Sequence, residues 1–348
     1  MEVFRRGLVA VLVIAALAVS ACGGGAQSSQ PSKNQTVSVT MAQSIVTLSN
    51  AGVYVAIEKG YYKERNVNLK LTTLQSGAST AQAMASNSVD MVASGAYDVA
   101  AASAKSIPFQ AFVNGTGTTT ELCASKKFAQ SKGLTASSSL PDIMGAWKGA
   151  TLGITGANGA PDLVVRYLLR KYGHLTPDQD VKIVALGTVG AEVQALSRGQ
   201  IDGFLQSPPG CEQAVATGNA VNVLRPSRVS GFSQTPLGVV YTSKKWAQDH
   251  GEAMGRVANA TAKGEAYAIQ HPEETIAVLQ KYFPGLNVDI LRDAYTNVVV
   301  PAMTKNGKMN AAGWKNVSDV LVTSGSIKKP LDAKEGNLWT NSYITEVQ

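Results

Sequence analysis

The chain has 348 residues, a formal net charge of +7, 45% apolar residues, 16% charged residues and 6% aromatic residues. That length exceeds what one core usually organises and predicts two domains in an ordinary globular protein. The charge is scattered as pairs (Lys126-Lys127, Lys244-Lys245, Lys328-Lys329), not gathered into a basic face with stacking aromatics, which excludes nucleic acid as a partner.

Residues 1–22 read as a targeting segment. Arg5-Arg6 precede an apolar run, Leu8 to Val19, that is too short to cross a bilayer as a helix. Val19-Ser20-Ala21-Cys22 resembles the bacterial lipobox, which implies lipidation of Cys22 after cleavage; an ordinary cleaved signal with an incidental cysteine is the alternative. Residues 23–35, rich in Gly, Gln, Ser and Pro, read as a flexible tether. The expectation is a protein exported and lipid-anchored to the cell membrane, on its periplasmic face or at the cell surface, with no transmembrane helix.

The folded part begins with a strand over Thr36–Ala42. A helical rhythm over 51–62 places Val53, Ile57 and Tyr61 on one side. Strands at 67–74, 91–93 and 109–113 alternate with helices at 79–86 and 96–105. A second set follows, with strands at 150–154, 181–186, 202–205 and 221–224 and helices starting near Asp162, Ala191 and Cys211. The Pro161-Asp162 pair suits a helix start. Extra strands at 121–125 and 237–242 read as crossovers carrying the chain between the two sets. From Lys244 the pattern is helical: 246–269, 272–282, 288–303 and 311–322, punctuated by Pro272, Pro284-Gly285 and Pro301. This tail is expected to pack back on the first set.

The two sets are a repeat. Gln82, Ala83, Val89 and Asp90 align with Gln194, Ala195, Ile201 and Asp202, an ungapped offset of 194 − 82 = 112. Solenoid units run to roughly 20–50 residues, so this period fits one α/β lobe built twice. The predicted fold class is therefore α/β: two similar lobes with mainly parallel sheets around a ligand cleft, two crossover strands and a helical C-terminal tail. The expected division is 36–116 with 232–348 as the first lobe and 117–231 as the second.

Tyr54-Val-Ala-Ile-Glu-Lys-Gly-Tyr-Tyr-Lys-Glu64 before a strand, Trp147-Lys148-Gly149, Gly199-Gln200-Ile201-Asp202 and His271-Pro272-Glu273-Glu274 resemble, in order and spacing, recurring pieces of solute-binding proteins of ABC importers. The branch is the one for nitrate, sulfonates, taurine and thiamine-pyrimidine precursors, with periplasmic binding protein architecture. Asn66 stands where that family usually has glycine, and asparagine tolerates the left-handed backbone such a position needs. The cysteine-rich iron motif of a related pyrimidine-making branch does not occur. The resemblance implies a monomer that captures a small organic solute and hands it to a membrane permease, with no cofactor and no catalysis.

Ligands of open α/β sheets sit beyond the carboxyl ends of the strands. The loops there supply Ser44, Asn50, Tyr54, Ser76, Gly77, Ser79, Ser94, Tyr97 and Asn114 in the first copy. Thr155, Asn158, Thr188, Gln206 and Glu212 come from the second, with Glu121 on the crossover strand. None of these loops contains Lys or Arg. An oxyanion would have to rest on helix N-termini such as Ser76–Ser79 and Thr155–Asn158, whereas an amino-substituted ring would use Glu121 and Glu212 as acceptors and Tyr54 or Tyr97 as stacking faces. The alternative for each residue is an N-cap or turn serving the fold. Gly153-Ile-Thr-Gly-Ala-Asn-Gly159 lacks dinucleotide spacing and the acidic partner. His174, His250 and His271 lie away from the loops, no metal spacing is present, and so an extracytoplasmic enzyme on this fold remains the lesser alternative. A ligand sensor for a membrane receptor is a further one. Cys123 and Cys211, on elements expected to be neighbours in an oxidising compartment, form a candidate disulfide or else two free thiols.

Overall fold

The repeat is realised as one sheet pattern built twice. The computed structural model describes residues 35–74, 77–135, 137–225 and 228–346; Cys22 and Ser76 therefore lie outside the described residues. β1 (Val37–Gln43) leads through a 3-10 turn (Leu48–Asn50) into α1 (Ala51–Glu58) and α2 (Tyr61–Glu64). β2 (Val67–Thr73), α3 (Gly77–Ala85), β3 (Met91–Gly95), α4 (Ala96–Ala104) and β4 (Phe109–Gly117) complete the first copy. The second comprises β5 (Glu121–Ser125), α5 (Lys126–Ser131), α6 (Leu140–Gly145), β6 (Thr151–Ile154) and α7 (Ala160–Tyr172). It ends with β7 (Lys182–Ala185), α8 (Val189–Ser197), β8 (Gly203–Gln206), α9 (Gly210–Ala216) and β9 (Ala220–Leu224). β10 (Pro236–Ser243) opens the tail of α10 (Lys244–Asp249), α11 (Gly251–Gln270), α12 (Pro272–Tyr282), α13 (Val288–Ala294) and α14 (Ala311–Ser324).

The sheet orders are β2-β1-β3-β10-β4 and β7-β6-β8-β5-β9. β1 and β6 pair parallel with both neighbours, while β10 and β5 run antiparallel to both of theirs. The sheets are mixed because each crossover strand is built into a sheet interior. α3 and α8 are offset by 112 residues at both ends, and the repeated aspartates do the same work in each copy. Asp90 accepts from the Thr40 N–H at 2.8 Å and donates its own N–H to the Thr40 carbonyl at 2.9 Å; Asp202 does both to Thr151 at the same distances. Each aspartate thus fastens the start of a central strand to its parallel neighbour, β3 to β1 and β8 to β6. Asn66 has φ 55°, the left-handed conformation anticipated there.

Apolar residues of α1, α11 and α12 bury one face of the first sheet, with Val53, Tyr54, Val257 and Leu279 at the centre. The tail packs back on the first copy only in part, because α14 lies against both α4 and α7. Trp314, Val317 and Leu321 there join Tyr97 of the first copy and Leu168 of the second in one apolar cluster. Two continuous helices expected in the tail are broken. α10 stops at His250 (φ −131°, ψ 39°), and α13 passes into a π-helical stretch, Tyr295–Val299, before Pro301, whose missing N–H cannot extend the ladder. α5 and α6 were not anticipated: six residues show no period, although Ser125 and Ser139 cap them by accepting from the Phe128 and Asp142 N–H groups. Among the described residues no helix is long and apolar enough to cross a membrane.

Candidate functional site

At the carboxyl ends of β1 and β3 the side chains form a polar chain. The Ser44 and Ser94 hydroxyls are 2.8 Å apart, Ser94 donates to Asp98 at 2.7 Å, and the Gly95 N–H donates to the same carboxylate at 3.2 Å. Burial raises the Asp98 pKa. Beside it, Gln43 accepts from the Tyr54 hydroxyl (2.7 Å) and the Asn50 amide (3.1 Å) while donating to Thr73 at 3.0 Å. Ser49 in the following turn meets Thr119, on the connection between β4 and β5, at 3.4 Å.

Behind that turn sits a carboxyl with a slot of its own. Glu265 of α11 is 1% exposed, and a Cβ on Gly52 would lie 2.1 Å from its carboxyl carbon, one on Gly115 2.8 Å from Oε1. Oε2 has no hydrogen-bond partner, and burial holds the pKa well above the ordinary carboxylate range. Glu265 is accommodated because two facing residues lack side chains.

In the second copy, Gln206 at the end of β8 donates to Glu192 Oε2 at 3.1 Å and reaches Thr155 Oγ1 at 3.5 Å. Gln206 falls 112 residues after Ser94, so the two strand-end clusters occupy matching places. Glu192 is fully buried, its Oε1 has no partner, and burial pushes its pKa up to about 8. Sequence does not single it out because it lies past the loop, in the first turn of α8. Gln43 and Ser49 lie within the first strand-end loop but were not selected from it, and Glu265 belongs to the distant α11.

Four helix starts carry the protein's own acids, whereas the first turn of α3 carries none. Asp98, Asp162, Glu192 and Glu212 lie in the first turns of α4, α7, α8 and α9, and Asp162 accepts from the Asn158 N–H at 2.8 Å. The anion-holding role expected of Thr155–Asn158 is taken by that carboxylate. Asn158 (φ 63°) and Thr188 are exposed and serve the entries to α7 and α8, Thr188 by accepting from Ala191. Gly77 and Ser79 lie in α3, with Ser79 exposed.

The two tyrosines correct the sequence reading. Tyr54 is fully buried, its ring stacked on Tyr282 at 3.9 Å, with its pKa pushed up to about 12 by burial; Tyr97 is 1% exposed with an unpartnered hydroxyl. Neither offers a free face to a ligand. Asn50 is occupied with Gln43, and Asn114, in the amide orientation that satisfies it, donates to the Thr116 and Gly238 carbonyls and accepts from Thr304. Glu121 and Glu212 do come together, but on the α9 side of the second sheet. Asn222 donates to Glu121, Arg225 Nε lies 3.6 Å from it, and burial followed by the neighbouring Glu212 raises its pKa strongly. Cys123 and Cys211 are neighbours as anticipated, yet both are free and buried, with Cys123 Sγ 3.8 Å from the Cys211 carbonyl oxygen.

A family model described as NMT1/THI5 like matches residues 48–275. The curated proteins contain no match. Among solved structures, a protein from Bordetella bronchiseptica RB50 is 19% identical with a TM-score of 0.73, covering 88% of this chain and 95% of that one. The periplasmic aliphatic sulphonate binding protein SsuA from Escherichia coli is 16% identical with a TM-score of 0.69, covering 88% and 98%. The periplasmic nitrate-binding protein NrtA from Synechocystis PCC 6803 is 15% identical with a TM-score of 0.65, covering 83% and 80%. Likeness at these identities shows the fold, an α/β periplasmic binding protein architecture of two mixed sheets with a helical tail.

Proposed function

Because this chain belongs to the NMT1/THI5-like family, we propose that it is the solute-binding component of an ABC importer, anchored outside the cell membrane by lipid on Cys22. It captures a small organic solute between a lobe of residues 36–116 with 232–348 and a lobe of residues 117–231, closes about the two crossovers, and presents the solute to a permease. The mechanism needs contacts from both lobes, since only a ligand that binds the closed state more tightly shifts the equilibrium toward it. Support comes from the matched strand-end clusters, Ser44–Ser94–Asp98 and Thr155–Gln206–Glu192.

The observation that carries the ligand class is the acid in the first turn of α4, α7, α8 and α9. A sulfonate or nitrate would approach these four helix starts past acid side chains instead of open N–H groups; the α3 start is without one. An amino-substituted heterocycle instead brings N–H donors to Glu192 Oε1, which has none, and a hydrogen bond to such a group is worth about 1.5–3 kcal/mol when charged.

Thermal-shift screening of sulfonates, nitrate and aminopyrimidines, with product analysis alongside, tests this. The right solute adds about 2.7 kcal/mol of stability at a hundredfold excess over Kd and is recovered unchanged. Stabilisation by the anions alone would refute the ligand class, and conversion of the stabilising compound would favour an enzyme.

A further inference from the structure

Glu212 also lines a space away from the strand ends of the first sheet. A pocket of about 550 Å³ is walled by α9, the edge strand β9 and, from the opposite side, α13; none of its lining residues belongs to the strand-end loops of the first sheet. That volume is ordinary for a small-molecule site. α9 contributes Glu212 and Val215, and α13 contributes Asp289, Ile290 and Asp293. Val215 is one of the few large apolar side chains left exposed among the described residues.

Glu212 is the informative residue. It is 8% exposed, and neither of its carboxyl oxygens meets a hydrogen-bond donor; the neighbouring Glu121 Oε2 has none either. Burial and the adjacent Glu212 raise the Glu121 pKa strongly, so Glu121 holds a proton here. Even then one Glu212 oxygen lacks a donor. The pocket's own cations do not supply it: Arg225 stands nearest Glu121 at 3.6 Å and is itself 44% exposed, and Lys126 lines the pocket without a hydrogen bond to either acid. Asp289 and Asp293 on the far wall are engaged by Arg292 (3.1 Å) and Asn297 (2.6 Å), each keeping acceptor capacity toward the pocket. Among the described residues no group of three or more His, Cys, Asp and Glu side chains is placed to hold a metal ion.

We propose that the pocket between α9 and α13 is a second ligand site that takes a primary ammonium group on a short aliphatic chain. The ammonium donates to Glu212 and displaces the proton held by Glu121, while the chain lies along Val215 and Ile290. Because α9 packs in the core of the second sheet and α13 in that of the first, an occupant contacts both halves of the molecule. This assignment is independent of what the strand-end clusters bind.

Calorimetry of the full chain with n-butylamine, run in two buffers that differ in ionisation enthalpy and carry no primary amine, tests it. Saturable binding near one equivalent with net proton release is expected, together with no response to n-butanol. Glu212→Gln keeps the side-chain volume and removes a buried charge, so the variant folds, and it should weaken amine binding at least about tenfold. Absence of saturable heat, an equal response to n-butanol, or unchanged binding by Glu212→Gln overturns the proposal. Loss of amine affinity on Glu192→Gln would place the amine among the strand ends and overturn it equally.

Discussion

Replacing Glu192 with glutamine separates its proton from its packing. In the folded protein this carboxyl titrates near 8 rather than 4.5 because it is buried, and the Gln206 amide, which favours the charged form, offsets only part of that. Between those values the folded state holds a proton that the unfolded state has released, so stability falls as pH rises through the window. The stabilisation is fully present below pH 4.5 and is gone above pH 8. With 1.36 kcal/mol for each unit, the loss is about 3 kcal/mol by pH 7 and about 5 kcal/mol once pH passes 8. Glu192→Gln still accepts from Gln206 and cannot ionise. Urea unfolding of both proteins at pH 5 and pH 8.5 should show the variant losing several kcal/mol less than the parent over that interval. Asp98, Glu121 and Glu265 slope the same way in both proteins, so only the difference between the two slopes is diagnostic. Parallel profiles would mean that Glu192 ionises normally and that the second strand-end cluster is open to water.

Gly52→Ala drives a methyl against Glu265 and should destabilise by about 1–3 kcal/mol; adding Glu265→Ala should restore most of that loss, and additive losses in urea unfolding would refute the slot. Asp90→Ala and Asp202→Ala should each cost about 1–3 kcal/mol and should add, since they clamp different sheets. Thiol labelling of the denatured, unreduced Cys22→Ala variant should find Cys123 and Cys211 both free, and a count near zero would reveal a disulfide. The same substitution should move the protein from membranes to the soluble fraction on cell fractionation; persistent membrane association would contradict lipidation.

The strands, the repeat and its offset were legible because a parallel β-α-β step leaves a strong local record: a run of apolar residues, a small-residue loop, a helix and an aspartate at the next strand. The architecture followed from seeing that record twice. The site was less legible, because proximity to a strand-end loop does not say which way a side chain turns. Tyr54 and Tyr97 lie in the first turns of helices beside the loops yet point into cores, while Glu192 lies outside the loops and points toward the strand ends. Glu121 and Glu212 were rightly paired: β5 alternates faces, and Glu121 shares that of Cys123 under α9. Glu265 was out of reach altogether: its partners, Gly52 and Gly115, stand out only when an absent side chain is measured against what would fill its place.

The strand orders also bear on how the polypeptide assembles. All five strands of the second sheet lie between Glu121 and Leu224, so that sheet is complete as soon as this stretch has emerged. The first sheet is different: β10, at 236–243, fits between β3 and β4 and separates strands made more than a hundred residues earlier. Until it arrives, β3 and β4 each present an unpaired edge, the kind of surface that recruits other chains. The N-terminal portion therefore cannot close before residues 236–243 have been made. The same logic makes a fragment of 118–225 the piece expected to fold alone, and a fragment of 36–117 the piece expected to aggregate.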